Sequence, residues 1–188
     1  MKLDNMTANR KTVAFVDGVN LHKGVLRLGW KLDYELFREY LVEFYGVSSI
    51  LLFVGYLPQN RRMYQDFRKW GYSLVFKPTS RDSFGAVKGN CDTDLAVQAV
   101  AGCCESRYDK AVLVTGDGDF ASLSSFLANR GKLEAVVAPS YASASNQFRL
   151  YGIRVNCLEP LRSKLEYLTG EANEFSPEAW FPEWRIAA

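Results

Sequence analysis

The sequence has one histidine, His22, which leaves Ser-His-Asp and Cys-His hydrolysis without support and excludes chemistry needing two imidazoles. Its four cysteines, Cys91, Cys103, Cys104 and Cys157, include no CxxC pair. No histidine cluster accompanies them, so reduced thiols are expected rather than a zinc knuckle or a disulfide framework. Long apolar runs are also missing. The longest, Ile50 to Val54, is far too short to cross a bilayer, and Met1-Lys2-Leu3-Asp4-Asn5 does not resemble a signal peptide. The expectation is a cytoplasmic protein with no membrane partner. Nor is there an excess of one charge: 23 basic against 21 acidic residues give a net +2. Any basic surface for nucleic acid must therefore be local. If chemistry occurs, carboxylates must carry it.

What is present suits one domain with a sizeable core, since 48% of the 188 residues are hydrophobic. After a polar leader over 1–11, the β-formers Thr12 to Val16 break into Asp17-Gly18, a strand followed by a turn. Asp33 is a plausible N-cap for a helix marked by Tyr34, Phe37, Tyr40, Leu41 and Phe44 and stopped by Gly46. Strands are expected at Ser49 to Leu57 and Tyr72 to Phe76, with a helix from Asn60 to Trp70 between them. From Lys77 to Asn90 the chain is polar and aperiodic, as in a mobile surface loop. A helix over about Asp92 to Cys104, a strand from Lys110 to Thr115, and a helix with Phe120, Leu123, Phe126 and Leu127 inward follow. A strand from Leu133 to Ala138, a helix around Ser143 to Leu150, a short strand from Arg154 to Cys157 and a helix after Pro160 complete the body. Such alternation predicts an α/β fold, a parallel β-sheet of about five to six strands with helices on both faces. Ligands of such sheets bind beyond the carboxyl ends of the strands, where strand order reverses.

That rule gathers the acids. Asp17 ends the first strand, Asp117 and Asp119 follow the Lys110 strand, and Asp92 and Asp94 open the helix between them. Carboxylates crowded together cannot all ionise cheaply without a cation. Oxygen-only donors select hard ions, Mg²⁺ or Mn²⁺, which suit phosphodiester hydrolysis with one ion or with two about 4 Å apart. Asp92 and Asp119 fall at expected helix N-caps and Asp94 in a first turn, so capping accounts for each singly. It accounts less well for Asp17 and Asp117, which end apolar strands beside glycine. Asn20 is placed to direct its amide at a metal-bound water or a phosphate, and Thr115 to offer its hydroxyl to the attacking water. A helical first-turn residue and a strand-end residue are their ordinary alternatives. Lys88 and Arg81 are candidates for phosphate-backbone contacts, with Arg61, Arg62, Arg68 and Lys69 extending that surface or simply solvated. His22 is either structural or a phosphate or proton partner.

Gly116-Asp117-Gly118-Asp119-Phe120-Ala121 also fits the dinucleotide pattern GxGxxA. Aspartates where a pyrophosphate should meet bare N–H groups argue against a nicotinamide or flavin cofactor.

Phe15-Val16-Asp17-Gly18-Val19-Asn20, Lys88-Gly89 leading into Asp92-Thr93-Asp94-Leu95-Ala96, and Val114-Thr115-Gly116-Asp117-Gly118-Asp119-Phe120 resemble the NYN domain, LabA-like branch, over about residues 12 to 158. The resemblance implies a PIN-like, Rossmann-like fold over 12–170 and a metal-dependent ribonuclease. It places the metal-binding aspartates at Asp17, Asp92, Asp117 and Asp119, with Asp94 and Asn20 in support. The chain departs from the pattern at Asn90-Cys91, an extra position ahead of Asp92, and at Gln98, where many members carry aspartate; one ion or two stays open. The expected partner is single-stranded RNA. The alternatives are a non-catalytic RNA-binding or regulatory module, and a phosphatase or nucleotide-binding protein. The segment 171–188, rich in aromatics and proline, is expected to dock on its own domain or on a second copy in a homodimer.

Overall fold

A strand at the middle of a parallel sheet is covered on both faces and must be apolar along its length. Residues Thr12–Asp17 meet that condition, all six being buried. The computed structural model describes residues 10–77, 80–81, 87–88 and 91–168. Its strands are β1 (Thr12–Asp17), β2 (Val47–Gly55), β3 (Tyr72–Lys77), β4 (Ser80–Arg81), β5 (Val87–Lys88), β6 (Lys110–Val114), β7 (Leu133–Ala138) and β8 (Val155–Cys157). Six of them form one parallel sheet in the order β3-β2-β1-β6-β7-β8, and β4 and β5 pair antiparallel as a separate hairpin. The chain builds outward from β1 to β3, crosses back to place β6 against β1, and then builds the other way. Strand order thus reverses between β1 and β6, which opens the crevice beyond their carboxyl ends.

The helices are α1 (Gly18–Arg27), α2 (Tyr34–Tyr45), α3 (Arg61–Lys69), α4 (Asp92–Cys104), α5 (Ala121–Asn129), α6 (Asn146–Leu150) and α7 (Arg162–Leu165). Because strand side chains alternate between faces, Ala14 and Val16 share one core with Leu21, Phe37, Phe67 and Leu165 from α1, α2, α3 and α7. Val13 and Phe15 share the other with Leu95, Leu127 and Phe148 from α4, α5 and α6. The expected fold class is the observed one. Among the described residues, no helix is long and apolar enough to cross a membrane.

Several bounds differ from expectation for local reasons. β2 ends at Gly55 rather than Leu57, because the Leu57 N–H donates to the Tyr64 hydroxyl at 2.8 Å and leaves the ladder. The helix expected from Asn60 opens as a 3₁₀ turn over Pro58–Asn60. α6 begins at Asn146 rather than Ser143, since Ser140 and Ser143 close a turn of their own. Helix α1 was not among the expected elements; it turns down onto the sheet directly from Asp17 and buries Leu21, His22 and Val25 at helical spacing. Residues 1–9 of the expected leader and the whole expected tail 171–188 lie outside the described residues, as does most of the loop after Lys77 apart from its short hairpin.

Candidate metal centre

The parallel topology brings its acids to one edge. Asp17, the last residue of β1, caps α1 by accepting the Asn20 N–H at 3.0 Å. Asp117 follows β6 and caps the 3₁₀ turn Gly118–Phe120 by accepting the Asp119 N–H at 3.0 Å. The expected capping pattern is therefore reversed. Asp92 is the first residue of α4 behind Cys91, and Asp119 lies inside the turn that Asp117 caps. At β1 the chain passes straight from strand to helix, so the strand-ending acid is itself the cap, whereas after β6 the loop Thr115-Gly116 intervenes and Asp117 takes that place.

Capping uses one oxygen of a carboxylate and leaves the other. Asp92, Asp117 and Asp119 each present an oxygen within 4.8 Å of the other two; Asp92 and Asp117 are half-buried and Asp119 is exposed. This cluster is open to solvent on one side and backed by the sheet edge. Asp17 is more deeply buried, 7% exposed. Burial raises its carboxyl to about 6 against the pull of the Asn20 N–H, and the negative charges of Asp92 and Asp117 push the same way. All-oxygen, like-charged donors at this spacing fit a hard divalent cation and suit no soft metal.

The supporting residues also make contacts of their own within the protein. The Thr115 hydroxyl is buried, accepts the Asp117 N–H at 3.1 Å and lies 3.5 Å from the second Asp17 oxygen. It joins the two strand ends and is not presented to water. The Asn20 carboxamide oxygen accepts the Gly116 N–H at 2.8 Å, so α1 holds the β6 loop in place. Asp94 pairs with Lys77 at 2.7 Å and is drawn toward β3 rather than into the cluster. His22 is buried, and desolvation, aided by the Lys23 charge, lowers it to about 4. Neutral at pH 7, it is no proton donor there.

The two glycines of the β6 loop supply space. A Cβ at Gly116 would fall 2.7 Å from the Ser143 carbonyl oxygen, and one at Gly118 would fall 2.4 Å from Ser145 Oγ. Ser145 N–H also donates to the Gly116 carbonyl at 3.0 Å. The segment 140–145 after β7 thus buttresses the aspartate loop. Nothing in its serine-rich sequence separates it from an ordinary turn, which is why sequence reasoning missed it. With the Asp117 carboxylate occupying the Asp119 N–H, the GxGxxA segment does not offer the bare amides of a dinucleotide site.

Of the candidate cations, Arg61 and Arg62 are exposed at the start of α3, on the edge where β2 ends. Arg68 lies over the Phe76 ring, 5.6 Å from its centroid, and Lys69 is 3.4 Å from Asp66. These two serve the far end of α3. Arg81 and Lys88 sit on β4 and β5, and their side chains lie outside the described residues.

A family model described as the NYN domain matches residues 11–152. The chain is also similar to a crystal structure of a protein of unknown function from Vibrio parahaemolyticus RIMD 2210633. The TM-score is 0.64 and the identity 20%, with 81% of this chain and 95% of that chain covered. That likeness carries the fold. No curated protein matches the chain.

Proposed function

Since the chain belongs to the NYN domain family, whose fold is of nuclease type, we propose that it is a metal-dependent endoribonuclease acting on single-stranded RNA. The observation that carries this reading is the trio Asp92, Asp117 and Asp119, one oxygen of each within 4.8 Å of the others, at the reversal of strand order. These residues would hold Mg²⁺ or Mn²⁺, with Asp17 supplying a fourth negative charge from beneath. Held there, the ion supplies Lewis acidity toward phosphate oxygens and acidifies water. The chain's own part is positional. Asp117 is aimed by its bond to the Asp119 N–H and by Thr115, and Asn20 prevents the Gly116 loop from lifting. Arg61 and Arg62, with Arg81 and Lys88 on the hairpin, supply cations for the strand's phosphates. Asp94 belongs to the Lys77 pair and lends the cluster only its nearby charge. Water displacing the 3′-oxygen in line breaks the P–O3′ bond, and the products carry a 5′-phosphate and a 3′-hydroxyl.

The setting in this reading is cytoplasmic, where four cysteines outside any disulfide stay reduced. It includes a homodimer formed through the face of α2 that carries the exposed Leu36 and Phe44; a monomer by light scattering removes that part alone. The central test is incubation of purified protein with a labelled single-stranded RNA. Cleavage with Mn²⁺ or Mg²⁺ that EDTA stops, giving 5′-phosphate ends, is the expected result. RNA binding without turnover in either metal would favour a regulatory module of the same fold.

A further inference from the structure

The loop that buttresses the aspartates also carries an unusual side chain. Tyr141, between β7 and α6, is 68% exposed. Around it the backbone is held rigidly: the Ser140 and Ser143 hydroxyls lie 3.0 Å apart, the Ser143 N–H donates to Ser140 Oγ at 3.1 Å, and the Ser140 N–H donates to Ser143 Oγ at 3.1 Å. The same turn sits against the aspartate loop through Ser143 at Gly116 and Ser145 at Gly118. A large aromatic side chain held out in water on a locked turn contributes little to folding, because its ring is hardly buried. It is well suited to a flat ligand, since little conformational freedom is lost on contact. The position is one strand over from Asp117, on the edge that receives the phosphodiester.

Resting on the ribonuclease reading, we propose that Tyr141 stacks against the base of a nucleotide flanking the cleaved phosphodiester, so that the site selects RNA with an unpaired base there. A paired base is covered on both faces by its helix neighbours and has no free face to offer; an unpaired one does. The selectivity then comes from the Tyr141 ring and the hydrolysis from the carboxylates.

Fluorescence anisotropy tests this with the full chain, a labelled single-stranded RNA of mixed sequence and the same sequence as a duplex. Tyr141→Ala is expected to weaken single-strand binding about tenfold or more, the size of one lost base–aromatic stack, and to leave duplex binding unchanged. Tyr141→Phe should bind as the wild type does. Tyr151→Ala is the matched control: Tyr151 is also exposed, at 51%, but lies at the opposite end of α6, ahead of β8. Its removal should change nothing. Wild-type affinity in Tyr141→Ala, equal losses for single strand and duplex, or failure of Tyr141→Phe would each overturn the stacking role while leaving the nuclease reading intact. A wild-type protein that binds no RNA overturns both. Selective loss in Tyr141→Ala with no cleavage by the wild type in any divalent metal would sustain the stacking role and remove the nuclease.

Discussion

β1 and β6 are both apolar strands followed by Asp-Gly, directly at β1 and after Thr115-Gly116 at β6, and in both a carboxylate oxygen caps the next helical turn. They differ in depth. Asp17 is buried between α1, β2 and β6, with its second oxygen facing Thr115, whereas Asp117 stands half-exposed with Asp92 and Asp119 around it. The same residue in the same motif therefore does different electrostatic work. One carboxylate raises the negative potential from below, and the other faces the solvent from which an ion would arrive. Depth, set by how the neighbouring strands and helices cover each end, decides between them.

The largest effect expected on breaking this contrast is at the open end. Asp117→Asn keeps the cap oxygen and removes the charge, and should lower metal-dependent RNA cleavage by at least about a hundredfold, a loss that even supporting partners of a metal site produce. Its melting temperature should stay near the wild-type value. Cleavage that persists would place the chemistry elsewhere or in a contaminant.

The buried end should respond in stability. Asp17 binds its proton more tightly folded than unfolded, so ionising it from 3.8 raised to about 6 costs roughly 3 kcal/mol above pH 6. Its contribution to stability falls as pH rises from about 4 to 6. His22 runs the other way: lowered from 6.5 to about 4, it binds its proton less tightly folded, and stability rises with pH over 4 to 6.5. The two slopes oppose each other. In EDTA the wild type should melt at a nearly constant temperature between pH 4.5 and 6. Asp17→Asn should melt higher at pH 7 and show the rising His22 slope below it. Parallel wild-type and variant curves would mean that Asp17 is not perturbed.

The support of the open loop comes next. Gly116→Ala drives a methyl group against the Ser143 backbone oxygen and should cost about 1–3 kcal/mol by urea unfolding, as other overpacked sites do. Wild-type stability would show that the turn gives way freely. The smallest effect belongs to Asp94→Ala, because the Lys77 pair is partly exposed and such pairs contribute little. Cleavage and melting temperature near the wild type are expected; a loss like that of Asp117→Asn would return Asp94 to the cluster.

Much of this is legible in the sequence. The period of apolar residues located the strands and most helices, with the bounds of α4 and β7 matched to the residue. The break of β1 and β6 into Asp-Gly marked the edge that matters. Capping roles were not legible, because they depend on where a helix begins: a shift of one residue puts Cys91 rather than Asp92 at the cap of α4, and a shift of two puts Asp117 rather than Asp119 at the cap of the turn after β6. The partners of Thr115, Asn20 and Asp94 lay beyond sequence as well, being set by contacts over long separations such as Asn20 to Gly116.

By itself the order of residues determined the alternation of strands and helices, and with it a parallel sheet whose acids share one end, since hydrophobic period and crossover handedness admit few other arrangements. Tertiary structure alone decided which acids meet, which is buried, which is taken by a lysine, and that the serine-bonded turn carrying Tyr141 packs against the Gly116 loop. Those outcomes depend on distances between segments up to about a hundred residues apart, and hydrophobic period carries no information about such distances.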